Sequence, residues 1–137
     1  MSERGERGQA LIETALSLSI LVFLLIGGAD FARVFAAQVG VLNSARAGVE
    51  AGVVRQLNVS SSANIATIQS YAQDELGRVP GVDVSTATIT PTWTQDSITL
   101  VNYVNVRVQY TYRTIIAWPL VPNSVNLDRT ATMRIYP

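Results

Sequence analysis

Neither cysteine nor histidine occurs anywhere in the 137 residues. Their absence excludes disulfide staples, zinc sites built on thiolate or imidazole, and nucleophilic catalysis of the Cys-His or Ser-His kind. It also removes cysteine usage as a guide to compartment. Lysine is missing too: all ten basic residues are arginine, and the ten acidic residues cancel them. A chain of zero net charge lacks the broad positive field that nucleic-acid binding draws on, so no nucleic-acid partner is expected. No glycine-rich phosphate loop stands at a strand-to-helix turn, since Gly27-Gly28 falls inside an apolar run. Paired carboxylates are the remaining route to acid-base chemistry, and Asp74-Glu75 are adjacent on a predicted helix, where neighbours point apart. A solvated helix face accounts for them better. No catalytic residue, no metal and no cofactor is expected.

What the chain does have is a long hydrophobic stretch close to its start. Ala10 to Ile26 reads ALIETALSLSILVFLLI, with Glu13 as its single ionisable group. Residues 10 to 29 would form roughly 30 Å of α-helix, the thickness of a bilayer's hydrocarbon core. A signal peptide competes for this reading, because Arg4 and Arg7 precede the run. Against it, the run is longer than a usual signal core, it contains Glu13, and no small-residue cleavage site with a turn follows. Instead Asp30 and Arg33 continue at i,i+3 spacing, suited to pairing at the membrane surface. The sequence predicts a helix that spans and then continues to about Leu57.

Small residues recur at every fourth position through this helix: Gly28, Ala32, Ala36, Gly40, Ser44, Gly48 and Gly52. Such a ridge lets a second backbone approach closely. Four residues overshoot one turn by about 40°, so the ridge winds around the helix and its two ends meet different neighbours. An ordinary alanine-rich core helix is the competing explanation. Gly27 and Gly28 also weaken the helix, by roughly 1 kcal/mol each relative to alanine.

Downstream, Asn58 to Ser62 is a polar break, and Ile65, Ile68, Ala72 and Leu76 follow at helical spacing before Gly77. This predicts a second helix over 62–76, capped by a serine and stopped by the glycine. Asn58-Val59-Ser60 matches a glycosylation sequon, a frequent chance match that is given no role. After Pro80-Gly81 the period falls to two. Val82 to Thr90 is expected as one strand. The clearest alternation follows, with Val104, Val106, Val108, Tyr110 and Tyr112 against Asn105, Arg107, Gln109, Thr111 and Arg113. A last strand is expected from Leu127 to Tyr136, with Ala131, Met133 and Ile135 on one side. Successive strands without crossover helices favour an antiparallel meander, whose apolar face the second half of the long helix would cover. The fold class is therefore α+β, a long N-terminal helix on a small antiparallel sheet. Trp93, Trp118 and the tyrosines are expected in the core or at a subunit interface, ahead of a ligand platform.

Gly8, Gln9, Ala10, Leu11, Ile12 and Glu13 set a glycine five positions before a glutamate that opens an apolar run, with four non-acidic residues between them. The order resembles the processing site of type IV prepilins. More closely, RGQALIETAL followed by LLIGGADFARVF resembles the TadE-like pseudopilins of the tight-adherence (Tad) pilus system. Thr14 follows the glutamate where many such sequences have an aromatic residue, and the apolar run has no proline. The resemblance implies a pilin-like fold, a leader over residues 1–8, cleavage between Gly8 and Gln9 by a prepilin peptidase, and a membrane and filament-core helix half over 9–29. Residues 30–137 would form an extracytoplasmic α+β domain. Arginines ahead of the span favour a cytoplasmic N-terminus. The implied function is that of a structural subunit, inserted in the cytoplasmic membrane and extracted into a filament by a membrane platform with an ATPase motor. Its partners are then other pilin-like subunits, the peptidase, the platform and motor, and lipid before assembly.

On this reading Glu13 sets axial register. A cut after Gly8 creates an α-amine on Gln9, and the amine of one subunit would offset the desolvation of a neighbour's Glu13 carboxylate. Snorkelling of Glu13 to headgroups is the simpler alternative. The ridge divides, Gly28 to Gly40 serving adjacent subunits and Gly40 to Gly52 the chain's own sheet. Gly27-Gly28 would soften the helix as it leaves the bilayer. Two other classes compete: a single-pass membrane-anchored binding protein that does not polymerise, and an envelope enzyme, for which no convincing acid-base pair is present. Secretion-system pseudopilins share the same sequence features.

Overall fold

In the computed structural model, which describes residues 3–57, 60–115 and 122–135, the chain begins with one helix. This helix, α1, runs from Glu3 to Val54 without interruption at Gly27-Gly28. It starts before the apolar run. At its end Gln56 adopts φ 50°, and Leu57 N–H donates to Gly52 O (2.9 Å) while Gln56 N–H donates to Val53 O (3.1 Å). These are the two bonds of a Schellman cap, closed by Leu57 turning in against the core. A glutamine in the left-handed region is strained relative to glycine there, and the cap bonds offset that cost.

α2 spans Ser62–Leu76, as the periodicity predicts, and buries Ile68, Ala72 and Leu76. Its stop differs in mechanism from the expectation. Gly77 keeps helical angles (φ −66°, ψ −14°), and the left-handed glycine is Gly81 at φ 82°. The expected strand over 82–90 is also displaced. Val84–Thr86 form a short 3-10 turn, because the Asp83 carboxylate accepts from both the backbone N–H (3.0 Å) and the hydroxyl (2.6 Å) of Ser85. Those bonds hold the Asp83 carboxyl below its ordinary range, the Ser85 hydroxyl contributing most.

Three strands follow: β1 (Thr88–Gln95), β2 (Asn102–Arg113) and β3 (Ser124–Arg134). They pair antiparallel in the order β1-β2-β3, with Ile89 opposite Val108 and Tyr110 opposite Leu127. β1 lies at an edge, which is how it tolerates Pro91. In the β1–β2 loop the Asp96 carboxylate accepts from the backbone N–H groups of Thr99 and Ile98, both at 2.8 Å, and is held low by them. Val104, Val106, Val108, Tyr110 and Tyr112 of β2 are buried in alternation, as read from the sequence. β3 begins earlier than expected and buries Leu127. Ala131 and Ile135 are only half-buried and Met133 is exposed. Trp118 and Tyr136 lie outside the described residues.

Contacts divide the chain into two units, residues 1–33 and 34–137. In the second unit the sheet's inner face is covered by the C-terminal half of α1, through Ala37, Val41, Ala45 and Val49, and by α2. This is the expected α+β arrangement. Ser44 ties the two helices, its buried hydroxyl donating to Ala72 O at 2.7 Å. Gln69 Nε2 donates to Ile89 O at 2.9 Å and joins α2 to β1.

The sheet's outer face is polar. Arg107 Nε donates to both Asp128 oxygens (3.0 and 3.1 Å), Arg107 Nη2 also donates to Oδ2, and Gln109 Nε2 adds a third donor at 3.2 Å. The Arg107 hydrogen bonds hold the Asp128 carboxyl below its ordinary 3.8. A carboxyl depressed in the folded state stabilises the fold above its unfolded pKa, and that contribution disappears as pH falls through the folded value. Thermal melts of the full chain in detergent, followed by circular dichroism, should therefore show Asp128→Asn less stable than wild type at neutral pH. Well below 3.8 the two curves should converge.

Candidate assembly site

Glu13 stands on the exposed surface of α1, flanked by side chains that present hydrocarbon outward: Leu11 is 72% exposed, Leu16 62% and Leu25 65%. Two hydroxyls close to it are met within the helix. Thr14 Oγ1 donates to Ala10 O and Ser19 Oγ to Ala15 O, each at 2.8 Å, so their polarity is met within the helix. A carboxylate in an apolar setting carries a larger desolvation cost, which pairing with a cation relieves. One 18-residue window of α1 reaches a mean hydropathy of 2.3 with none of it buried, so this helix is long and apolar enough to cross a membrane.

Gly8 and Gln9 lie inside α1, Gly8 half-buried with open space where a Cβ would project, and Gln9 exposed. Gly28, Ala32 and Ala36 are likewise exposed, with nothing within 4 Å of a Cβ on Gly28. Gly27 is half-buried, and helical geometry continues through it. Asp30 is buried, 3.9 Å from Arg33 Nη1.

The later ridge residues sit in a different environment. Gly40, Ser44, Gly48 and Gly52 are all buried. A Cβ on Gly40 would collide with Val79 Cγ2. On Gly48 it would meet Val106 Cγ1 at 3.1 Å and Ala72 Cβ at 3.3 Å, and on Gly52 Val104 Cγ1 at 3.1 Å. Close backbone approach to α2, to the turn that follows it and to the sheet is what these glycines permit.

One feature escaped the sequence reading. Phe31, Phe35 and Val39 form a second i,i+4 row beside the small-residue ridge, 74%, 60% and 42% exposed. Its signal was available: three large apolar residues at fourfold spacing beyond the length a bilayer accommodates. The aromatic residues considered as a platform are elsewhere. Tyr110 and Tyr112 are buried, Trp93 is half-buried against the core, and Arg55 lies 4.7 Å over the exposed Tyr71 ring. No group of three or more potential metal-binding side chains occurs among the described residues. Asp74 is exposed, and Glu75 pairs with Arg78 at 3.0 Å on the solvent side of α2.

Residues 8–50 match the family model described as TadE-like protein, 43 of the 137 residues. The matched segment takes in Gly8, Glu13, the apolar run and the ridge as far as Gly48. The likeness to TadE-like proteins is confined to α1. No curated protein and no solved structure matched.

Proposed function

We propose that the chain is a structural subunit, a pilin or pseudopilin, of a Tad or type IV-like pilus. It is made as a membrane-inserted precursor, cut between Gly8 and Gln9, and assembled by packing of N-terminal helices. Its N-terminus faces the cytoplasm, in keeping with Arg4 and Arg7 ahead of the span, and residues 30–137 lie outside. Prepilin peptidase, platform and ATPase act on it in that order.

The observation that supports polymerisation over simple tethering is the exposed apolar surface past the span. Twenty residues from Ala10 cover a hydrocarbon core of about 30 Å. Phe35 and Val39 lie beyond them, after the Asp30–Arg33 pair, and stay exposed in a unit that has its own core. Acyl chains do not reach such residues. A neighbouring helix does, and α1 offers its complement in the adjacent small residues Ala32 and Ala36. Identical helices packed in this heterologous way build an open helical array. Within it the Gln9 amine of one subunit meets Glu13 of another and fixes the stagger.

Shearing cells and separating fibres from envelopes tests the proposal. The chain is expected in the fibre fraction, starting at Gln9. Recovery of a chain starting at Met1, wholly in detergent-solubilised envelopes, would show a tether and overturn it.

A further inference from the structure

The cut after Gly8 has a chemical consequence at the residue it exposes. Gln9 becomes the N-terminal residue, and an N-terminal glutamine carries its own electrophile: the side-chain amide carbon closes a ring with the α-amine through N, Cα, Cβ, Cγ and Cδ. We propose that Gln9 is a modification site, closing to a pyroglutamyl lactam in processed subunits that remain unassembled, while subunits paired through Glu13 keep the amine. The inference rests on the proposed processing site. The step balances without a redox partner. The N–Cδ bond forms, the Cδ–Nε2 bond breaks, and the leaving nitrogen takes a proton from the attacking amine and departs as ammonia.

Three observations favour closure. Gln9 is exposed, so its amide is accessible to the attacking amine. Residue 9 continues directly into α1, so the new amine sits at a helix N-terminus. A positive charge is disfavoured at that end of the dipole, and the uncharged amine is the form that attacks. Finally, the cut removes Glu3, Arg4, Glu6 and Arg7 together, leaving the amine and Glu13 as the only ionisable groups before Asp30. Closure turns an ammonium at the edge of an apolar segment into a neutral amide, which lipid accepts more readily. Pairing with a neighbour's carboxylate does the opposite: it holds the amine as an ammonium, which has no lone pair to attack with. A closed subunit no longer offers the cation that Glu13 requires, and is thereby retired from assembly.

The absence of lysine makes the test direct, because the α-amine is the only primary amine in the chain. Fibre and membrane fractions from the same cells are denatured and treated with an amine-reactive reagent, and the N-terminal peptide is weighed. Fibre chains starting at Gln9 should take the label. Processed chains from the membrane should refuse it and weigh less by one ammonia, whereas Gln9→Ala chains should label in both fractions. Full labelling of processed wild-type chains from both fractions overturns the inference and leaves the processing reading standing. Lactam throughout the fibre chains overturns the protection by Glu13. Chains that still start at Met1 in both fractions overturn inference and processing together.

Discussion

Gly48→Leu is expected to unfold the second unit, and Ala36→Leu, three turns earlier on the same ridge, to leave it folded. At Gly48 a bare Cβ already stands 3.1 Å from Val106 Cγ1 and 3.3 Å from Ala72 Cβ. Alanine there would gain about 1 kcal/mol of helix propensity and lose a similar amount to crowding, ending close to neutral. Leucine adds three further carbons that have nowhere to go. α1 must then lift from β2 and α2, which opens the contacts of Val41, Ala45 and Val49 with Ile68 and Val106. Overpacking of a well-filled core typically costs about 1–3 kcal/mol. Separation of a helix from its sheet lies at or above the upper end of that range, a large share of the stability of a domain this size. Loss of the cooperative thermal transition of the full chain in detergent is the expected reading. Ala36 is exposed, so Ala36→Leu should melt within a few degrees of wild type. Its defect should appear in fibre yield, because the lost groove is the one a neighbouring helix would use. A large fall in melting temperature for Ala36→Leu, or none for Gly48→Leu, would contradict the division of the ridge.

How much of this was legible in the sequence differs from element to element. β2 was plain because its inward positions are valine and tyrosine and its outward positions are polar, so period two is unmistakable. α2 was plain because Ile68, Ala72 and Leu76 all face one core. β1 was not. VDVSTATIT alternates weakly, and the deciding event is local: Asp83 captures Ser85 and bends the chain into a 3-10 turn. The strand then begins at Thr88 and runs through Pro91, a residue that argues against a strand until its edge position is known. The end of α1 was approximate for a related reason, since the left-handed residue that closes it is Gln56 and not a glycine.

The candidate site divides along another line. Gly8, Gln9 and Glu13 stand out in the sequence, because a lone carboxylate in an apolar run and a glycine at fixed spacing from it are features of composition and order. The small-residue ridge was readable as a requirement for close approach, but the sequence alone does not say which backbone approaches. Val79, Ala72, Val104 and Val106 occupy that place at Gly40, Gly48 and Gly52, and they come from segments distant in sequence. The Phe31–Phe35–Val39 row was overlooked for a physical reason too. In sequence, aromatic residues at helical spacing read as core, and only the fold shows them facing outward while Val34, Ala37 and Val41 face in.

Glu13→Ala should abolish incorporation into fibres while improving retention in the membrane. A carboxylate placed in the hydrocarbon region of an isolated subunit costs about 2.5–3.5 kcal/mol at the centre of a span, and less near its end where Glu13 lies. Alanine relieves that cost, so the variant should insert at least as well as wild type. In the fibre the balance reverses. On the proposed pairing, the Gln9 ammonium of each subunit would then face a neighbour that offers no carboxylate, and a charge left unpaired in an apolar bundle is penalised by several kcal/mol. Each 1.4 kcal/mol is tenfold in equilibrium, so a fall of at least tenfold in fibre-borne chain is the expected result, with unchanged total chain. Glu13→Gln separates charge from hydrogen bonding: it keeps an acceptor for the ammonium but not the countercharge, and should fall between wild type and alanine. Fibre incorporation of Glu13→Ala at the wild-type level would leave the carboxylate a bystander at the headgroups. In that case register along the filament would rest on the fit of Phe31, Phe35 and Val39 against Ala32 and Ala36.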